Sequence, residues 1–362
     1  MQFKPLKFNY DLLDNLTNDQ KISLKKSMNE LKKEPHYDEK RCLLCNKAVS
    51  RFCHSHYIPQ FVLKTIGNKF YDGYSFLLSG IADKSGIKNT LLFKNICEEC
   101  DHTQFKNYEN PSKLDGVASN ELMKDIAKKS FLRFIYKRNI ELNKYRLMLS
   151  ECVDKLNNLP YEPSNFNEAI SIFGAIENIK HIIEVNRIDL KDFTAELNNI
   201  DSTSFKIIFE KNLEYQTEIA CQSIINLVSD LNGNLINDIY DLNPDHKMEE
   251  LHICILPYNN KTKVLLFTDA SNTKYDKLKK QLGNHNTDWQ YIINYMVLLY
   301  CEDWAISSDV KLEMKEINQI KEIVSISQNL LAEKGEDDRI KAACQVYRLK
   351  VNRKIYNFIL KQ

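Results

Sequence analysis

The amino-acid sequence predicts a helix-rich α+β protein, in which a small zinc-binding module near the N-terminus precedes a larger, mostly helical region with a β-hairpin. Three observations predict this class. Five of the ten cysteines lie between Cys42 and Cys100, several long segments have apolar residues at helical spacing, and two neighbouring apolar runs near residue 260 resemble paired strands. A chain of 362 residues exceeds the usual size of one hydrophobic core, so we expect two or more domains.

The composition limits the classes of protein to consider. With 50 Lys and Arg against 49 Asp and Glu, the net charge is +1, so any contact with nucleic acid must be local. No segment approaches the roughly 20 consecutive apolar residues that a membrane span needs. The N-terminal residues do not resemble a signal peptide, so we expect a cytoplasmic protein with reduced cysteines and no membrane partner.

The N-terminal elements follow from caps, turns and apolar spacing. A capping-box pattern followed by apolar residues predicts a helix over 17–33. Paired cysteines, glycines and short apolar runs predict a loop-rich module over 40–111. Helical spacing predicts a helix over 120–157, and two prolines predict a linker over 157–165.

The remaining segments predict more helix and one clear hairpin. The strand run 251–258 and the strand run 263–269 flank a polar turn, and 205–211 alternates like a third strand. The predicted helices cover 166–200, 213–231, 287–304, 312–333 and 335–361. The segment 287–304 is apolar on most sides, which indicates a buried helix.

These elements predict four parts of the chain. They are a helical lead-in over 1–39, the zinc module over 40–111, a helical connection over 112–160 and a C-terminal α+β domain over 161–362, which we expect to serve in regulation or binding. Residues 1–110 contain 17 Lys and Arg against 13 Asp and Glu, so the zinc module lies in the more basic part.

Two C-x2-C pairs, Cys42 with Cys45 and Cys97 with Cys100, predict a zinc site. Each pair brings two thiolates to one side of a tight turn, and four thiolates complete a tetrahedral shell. A zinc ion with four protein ligands has no open position, so we expect it to stabilise the module. Cys53 is expected to be a free thiol.

The segment SHYIPQFVLK at 55–64, followed by ICEECDHTQFKNYEN at 96–110, resembles the HNH endonuclease superfamily. It resembles more narrowly a bacterial HNH-like group with a Ser-His-x-Ile-Pro-x-Phe segment. The resemblance covers 40–111 and implies a treble-clef core of the ββα-metal type. It also implies hydrolysis of phosphodiester bonds.

The resemblance implies that His56 is the general base, a role that a neutral imidazole fits near neutral pH. It implies a catalytic divalent cation, Mg²⁺ or another metal, whose ligands stay open. Ser55 stands where many HNH enzymes have a metal-binding Asp or His. His54, two residues from His56, is an alternative ligand because alternate strand residues face the same side.

On the helix we favour His102 as the metal ligand, with Asp101 as the alternative. Asn95 corresponds to the asparagine of the second strand.

A basic set on the helix over 120–157 is a candidate nucleic-acid contact. It consists of Lys128, Lys129, Arg133, Lys137 and Arg138. Such a set either forms a solvated helix face or neutralises backbone phosphates without reading sequence.

The sequence therefore predicts a metal-dependent HNH-like endonuclease that acts on DNA. Its C-terminal region suggests an anti-phage defence or toxin effector with a regulatory protein partner, an inference from family analogy alone. Two alternatives stay open. One is a zinc-dependent module that binds nucleic acid or protein without cleaving it, and the other is an RNA-cleaving toxin.

Overall fold

The computed structural model describes residues 40–73, 85–160, 165–239, 241, 246–284, 288–326 and 336–361. The helix predicted over 17–33 lies outside these residues. The described chain combines helices and strands, as predicted for an α+β protein. The strands are β1 (Ser55–His56), β2 (Lys69–Asp72), β3 (Ser85–Gly86), β4 (Leu92–Phe93), β5 (Phe205–Leu213), β6 (Ile219–Ile225), β7 (Leu251–Tyr258), β8 (Lys261–Asp269) and β9 (Trp304–Ser307). The helices are α1 (Gln60–Ile66), α2 (Glu98–Gln104), α3 (Asn120–Asn157), α4 (Phe166–Asn199), α5 (Asp276–Asn284), α6 (Trp289–Tyr300), α7 (Met314–Ile326) and α8 (Glu336–Val346).

Seven strands form one antiparallel sheet in the order β3-β2-β9-β6-β7-β8-β5. Strands β2 and β3 come from residues 40–111, the cysteine module, which contains the four clustered cysteines. Strand β2 pairs with β9 through Tyr71 and Ile306. The module is therefore joined to the C-terminal region by the main sheet. Strands β1 and β4 form a separate ribbon of two residue pairs, Ser55 with Phe93 and His56 with Leu92.

The main sheet is buried on both faces because each face packs against its own layer. In β7, Ile253 and Ile255 belong to a core cluster that includes residues of α5, α6, α7 and α8. The alternate residues Cys254 and Leu256 belong to a second cluster with α1, α3 and the cysteine module. Successive strand residues point to opposite faces, so one strand serves both cores.

The second core cluster crosses the predicted boundary at residue 111. It contains Tyr57 and Phe93 of the cysteine module, Phe131 of α3 and Leu265 of β8. The hydrophobic core is thus continuous between these parts of the chain. Among the described helices, none has the length and apolar character needed to cross a membrane.

The structure confirms several predicted elements and corrects one. Helices α3 and α4, strand β5 and the β7–β8 hairpin are confirmed, and the hairpin turns at Asn259 and Asn260 with φ values of 44° and 62°. The helix predicted over 213–231 is wrong, because β6 occupies its centre. Every residue of β6 is buried, and a run that is apolar on both faces lacks the alternation that marks a strand.

Two C-terminal boundaries also differ from the prediction. The helix expected over 287–304 ends at Tyr300, and Trp304 begins β9. The helix expected over 335–361 ends at Val346, and the described residues beyond it form no helix.

Gly73, which follows β2, tests the attachment of the module to the sheet. A Cβ atom at Gly73 would lie 2.5 Å from the backbone oxygen of Glu302 and 2.6 Å from Nε1 of Trp304. Gly73→Ala should therefore lower the free energy of unfolding by about 1–3 kcal/mol, the usual cost of overpacking, as measured by urea denaturation.

The control for this substitution is Gly86→Ala, because no atom lies within 4 Å of the added methyl group. Gly86 has a φ of −84°, which alanine adopts readily, so the change should stay within about 0.5 kcal/mol. Equal effects of the two substitutions would contradict the close packing of Gly73 on β9.

Candidate metal centre and histidine site

The first cysteine pair lies in a tight turn closed by a bridge between Arg41 and Ala48. The backbone N–H of Cys42 donates to the oxygen of Lys47 at 3.0 Å, and Asn46 has a left-handed φ of 56°. Asparagine tolerates this conformation better than most residues. The turn brings Cys42 and Cys45 to the same side.

The second cysteine pair lies at the start of α2. Cys97 is the N-cap, and its Sγ accepts a hydrogen bond from the backbone N–H of Cys100 at 3.5 Å. The backbone N–H of Cys97 donates to Sγ of Cys42 at 3.3 Å. The two pairs therefore face one another directly.

The sulfur atoms of Cys42, Cys45, Cys97 and Cys100 all lie within 4.8 Å of one another. The Sγ atoms of Cys45 and Cys97 are 3.8 Å apart. Sulfurs bound tetrahedrally at the usual zinc–sulfur distance are also about 3.8 Å apart. The cluster could therefore hold a metal ion such as zinc.

The electrostatics of the four thiols fit a divalent cation. Burial raises the pKa of Cys42 and of Cys100, whereas a hydrogen bond from the backbone of Lys47 lowers the pKa of Cys45 to about 7. Adjacent thiolates repel one another, so four of them need a compensating positive charge. Sulfur donors alone favour zinc over Mg²⁺ or Ca²⁺.

Cys53 lies outside this cluster, as expected for a free thiol. Its Sγ donates to Oδ2 of Asp101 at 3.4 Å. Burial, followed by the charge of Asp101, raises the pKa of Cys53 to about 12. The thiol therefore stays protonated near neutral pH.

Both ring nitrogens of His56 have hydrogen-bond partners. Nε2 lies 2.9 Å from the backbone oxygen of Ile87, and Nδ1 lies 3.1 Å from Nε2 of Gln60. A carbonyl oxygen only accepts, so Nε2 carries the proton and Nδ1 accepts from the Gln60 amide. Burial lowers the pKa of His56, which keeps the ring neutral near neutral pH. Nδ1 is consequently the unprotonated nitrogen of the ring, and it lies next to the exposed side chain of Gln60.

No role is predicted for Gln60 from the sequence, although its position in the sequence relative to His56 indicates that the two side chains are close. It lies four residues after His56 and begins α1, directly after the turn at Pro59. From the first position of α1, the Gln60 amide reaches the His56 ring.

His54 is exposed and precedes β1. Continuing the ribbon register places His54 opposite Lys94. Burial, then the charges of Lys94 and Arg51, lower the pKa of His54. Two nearby cations disfavour the binding of a metal cation at His54.

Asp101, and not His102, faces the ribbon. The hydroxyl of Ser55 donates to Oδ1 of Asp101 at 2.5 Å, and Asp101 is partly buried. The side chain of His102 is 74% exposed and lies 3.9 Å from a carboxylate oxygen of Glu98. The structure thus reverses the sequence-based preference for His102, because the helix turns it away from β1.

The structure does not support the catalytic assignment of Asn95, because its side chain is fully buried. Its Nδ2 donates to the backbone oxygen of Leu132 in α3 at 2.7 Å. Its own backbone oxygen accepts from Leu43 at 3.0 Å. Asn95 therefore connects the cysteine turn to α3 and has no access to a substrate.

The basic set of α3 is also buried, so it is not a surface for phosphates. Each cation has an acidic partner: Lys128 with Asp201, Lys129 with Glu109, Arg133 with Asp303, Lys137 with Glu302 and Asp303, and Arg138 with Glu141 and Asp189. The sequence did not indicate this burial because most of these partners are distant in the chain.

Within the described residues, the four cysteines are the only group of three or more metal-binding side chains within ligand distance of one another. Comparison with known proteins found no matching family model, no similar curated protein and no similar solved structure.

The four-cysteine cluster predicts one zinc ion per chain. Cys97→Ser should remove the metal and lower the thermal midpoint, because binding of a structural metal contributes to folding. Elemental analysis of the purified protein measures the first effect, and calorimetry measures the second.

Cys53→Ser is the matched control, since Cys53 lies beside Asp101 and outside the cluster. This variant should keep its full zinc content. A Cys97→Ser protein with one zinc per chain would contradict the assigned ligands.

Proposed function

We propose that the cysteine module is a zinc-stabilised nuclease of the HNH type that hydrolyses phosphodiester bonds in DNA. The order of elements supports this proposal: a cysteine turn, the ribbon β1–β4, and helix α2 starting at the second cysteine pair. This is the order expected for a treble-clef core of the ββα-metal type. The observation that carries the proposal is the neutral His56 ring, with a fixed tautomer and Nδ1 directed to an exposed amide.

His56 acts in this proposal as the general base. Nδ1 takes a proton from a water molecule in the place that the Gln60 amide now occupies. The resulting hydroxide attacks phosphorus, the bond to the 3′ oxygen breaks, and the departing 3′ oxyanion takes a proton from solvent water. The carbonyl of Ile87 holds the opposite nitrogen and so directs the basic atom.

Asp101 is the residue that would hold the catalytic cation. Its carboxylate is the acidic group that faces β1, and the hydroxyl of Ser55 shares this site. Carboxylate and hydroxyl oxygens suit Mg²⁺, which usually keeps several waters and binds substrate phosphates. When bound, such a cation supplies positive charge for the phosphate oxygens and the leaving oxygen. We therefore expect weak binding of Mg²⁺ in the absence of DNA.

Arg51 and Lys94 are better candidates for phosphate contacts than the basic set of α3. The described part of the module, residues 40–73 and 85–114, contains ten Lys and Arg against five Asp and Glu. Four of the acidic residues lie on or just after α2. Continuing the ribbon register pairs Lys94 with His54, which lies two residues from His56 and therefore on the same face of the ribbon. DNA that approaches His56 from this side would meet positive charge.

One observation favours a second function, a zinc-dependent DNA-binding module without catalysis. Asp101 and Ser55 are fewer ligands than most catalytic cation sites provide, and the described residues contain no larger oxygen-ligand group nearby. The roles in defence or as a toxin, the RNA-cleaving alternative and the regulatory partner stay predictions.

His56→Ala tests catalysis directly. The variant should lose roughly 10²–10⁴-fold in the rate of plasmid cleavage with Mg²⁺, because a general base contributes about this much. Its zinc content and thermal midpoint should stay close to those of the wild type, since His56 is not a zinc ligand.

His102→Ala is the matched control, because its imidazole is exposed beside Glu98. Its cleavage rate should equal that of the wild type. Zinc-loaded wild-type protein that binds plasmid but does not cleave it would favour the binding module. Cleavage by His56→Ala at the wild-type rate would refute the assigned base.

The Arg51 and Lys94 contacts predict a specific dependence on salt. Arg51→Gln and Lys94→Gln should each lower the slope of log affinity against log salt by about 0.9, the value for one phosphate contact on duplex DNA. Fluorescence anisotropy with a labelled duplex, in buffer without Mg²⁺, measures this slope.

Lys106→Gln serves as the control, because Lys106 is exposed and follows α2 instead of lying in or next to the ribbon. It should leave the slope unchanged. A loss of slope that is equal in all three variants would indicate nonspecific attraction by the whole module.

A further inference from the structure

Two buried cations of α3 bind the backbone of the ribbon that carries His56. The Nζ of Lys129 donates to the backbone oxygen of His56 at 3.2 Å. One helical turn later, Nη1 of Arg133 donates to the backbone oxygen of Leu92 at 2.5 Å. His56 and Leu92 are partners in the ribbon, so the two cations hold both strands at the same level.

Each cation is fixed by groups outside the ribbon. The Lys129 side chain has no exposed surface; it pairs with Glu109 at 2.5 Å and lies 4.7 Å from the ring centre of Phe105. Arg133 donates through Nε and Nη2 to Oδ1 of Asp303, at 3.0 Å and 2.9 Å. Asp303 directly precedes β9 of the main sheet. The ribbon is thereby connected through Arg133 to the C-terminal region.

The ribbon needs such support because it is short. It consists of two residue pairs, and an isolated two-stranded hairpin is marginal even when longer. The bond from Tyr57 to Leu91, at 2.9 Å, extends it at one end, and the bond from Cys53 to Ile96, at 2.8 Å, extends it at the other. These bonds join the two strands of the ribbon to each other, but they do not fix the position of the ribbon relative to α3.

We propose that Lys129 and Arg133 are positioning residues, which hold His56 in its place relative to α3 by binding the carbonyl oxygens of the ribbon. Asp303 anchors Arg133 and so makes the position of the ribbon depend on β9. What this inference says about cleavage rests on the proposed nuclease function. What it says about the ribbon does not.

Arg133 and Lys137 form a matched pair that separates positioning from stability. Both are buried on α3, and both bind Asp303. Lys137 lies one helical turn further along, where its bonds go to Asp303 and Glu302. Loss of either cation removes part of the positive charge that compensates the buried Asp303, but of the two only Arg133 is bonded to the ribbon.

The decisive variant is Arg133→Lys, which keeps a positive charge for Asp303. A single shorter amine does not reach both Asp303 and Leu92 with the geometry of the guanidinium fork. Hydrogen exchange at the amides of Tyr57 and Cys53 should rise about tenfold, because the ribbon opens more easily. Single-turnover cleavage should fall by about 10²-fold, the effect of displacing a catalytic group by about 1 Å, while the affinity for duplex DNA stays unchanged.

Lys137→Met is the control for a purely structural effect. It should lower the thermal midpoint at least as much as Arg133→Lys does, yet leave the exchange of both amides and cleavage per folded molecule at wild-type values. Glu109→Gln provides a second test that does not depend on a fully buried residue, since Glu109 is 42% exposed. Loosening of Lys129 should raise exchange at Tyr57 by a smaller factor.

Wild-type exchange of Tyr57 and Cys53 in both Arg133→Lys and Glu109→Gln would overturn the proposal. An equal rise in Lys137→Met would also overturn it. If Arg133→Lys frees the ribbon but the wild type cleaves no DNA, positioning of the ribbon stands and the nuclease function fails. If the wild type cleaves DNA and Arg133→Lys changes neither exchange nor rate, the nuclease function stands and the positioning role fails.

Discussion

Asp303 carries a carboxylate that is fully buried at the start of β9, and its charge has to be compensated inside the protein. Burial by itself would raise the pKa of Asp303, but Arg133 and Lys137 act more strongly and hold it below its usual range. The carboxylate is therefore ionised, and it fixes two cations of α3 at the centre of the molecule. Asp303 thus connects the sheet to the long helix and, through Arg133, to the ribbon.

This arrangement explains why the cysteine module does not have a core of its own. A zinc-binding segment of about 70 residues usually relies on its metal, because it buries little apolar surface. Here Tyr57 and Phe93 pack with Phe131 of α3 and with the sheet. The module also supplies β2 and β3 to that sheet. Its stability thus depends on two supports, the four-cysteine cluster and the C-terminal sheet.

Local patterns in the sequence predict the parts of the structure that are determined locally. The four clustered cysteines were found from C-x2-C spacing alone, and the β7–β8 hairpin was found from two apolar runs around a polar turn. Helices α3 and α4 follow from apolar periodicity. In each of these elements, the residues that decide the conformation lie within a few positions of one another.

The errors have one physical cause, which is dependence on distant partners. Strand β6 has no alternation because both of its faces are covered by other layers of the protein. Arg133 was interpreted as a surface cation, but Asp303 lies 170 residues further along the chain. Asn95 was interpreted as catalytic, although its amide binds a carbonyl of α3. Residue type and spacing do not reveal such contacts.

Residues 95–97 explain how a structural metal would affect a histidine that does not bind it. The backbone oxygen of Asn95 accepts from Leu43, that of Ile96 accepts from Cys53, and the N–H of Cys97 donates to Sγ of Cys42. Three consecutive residues therefore join the first cysteine turn, the strand that leads to His56, and the sulfur cluster. A metal held by four sulfurs would fix the end of the ribbon that the cations of α3 do not reach. Because both of its ends are bonded to other parts of the protein, a ribbon of two residue pairs is sufficient, and its own few hydrogen bonds need only set the register between His56 and Leu92.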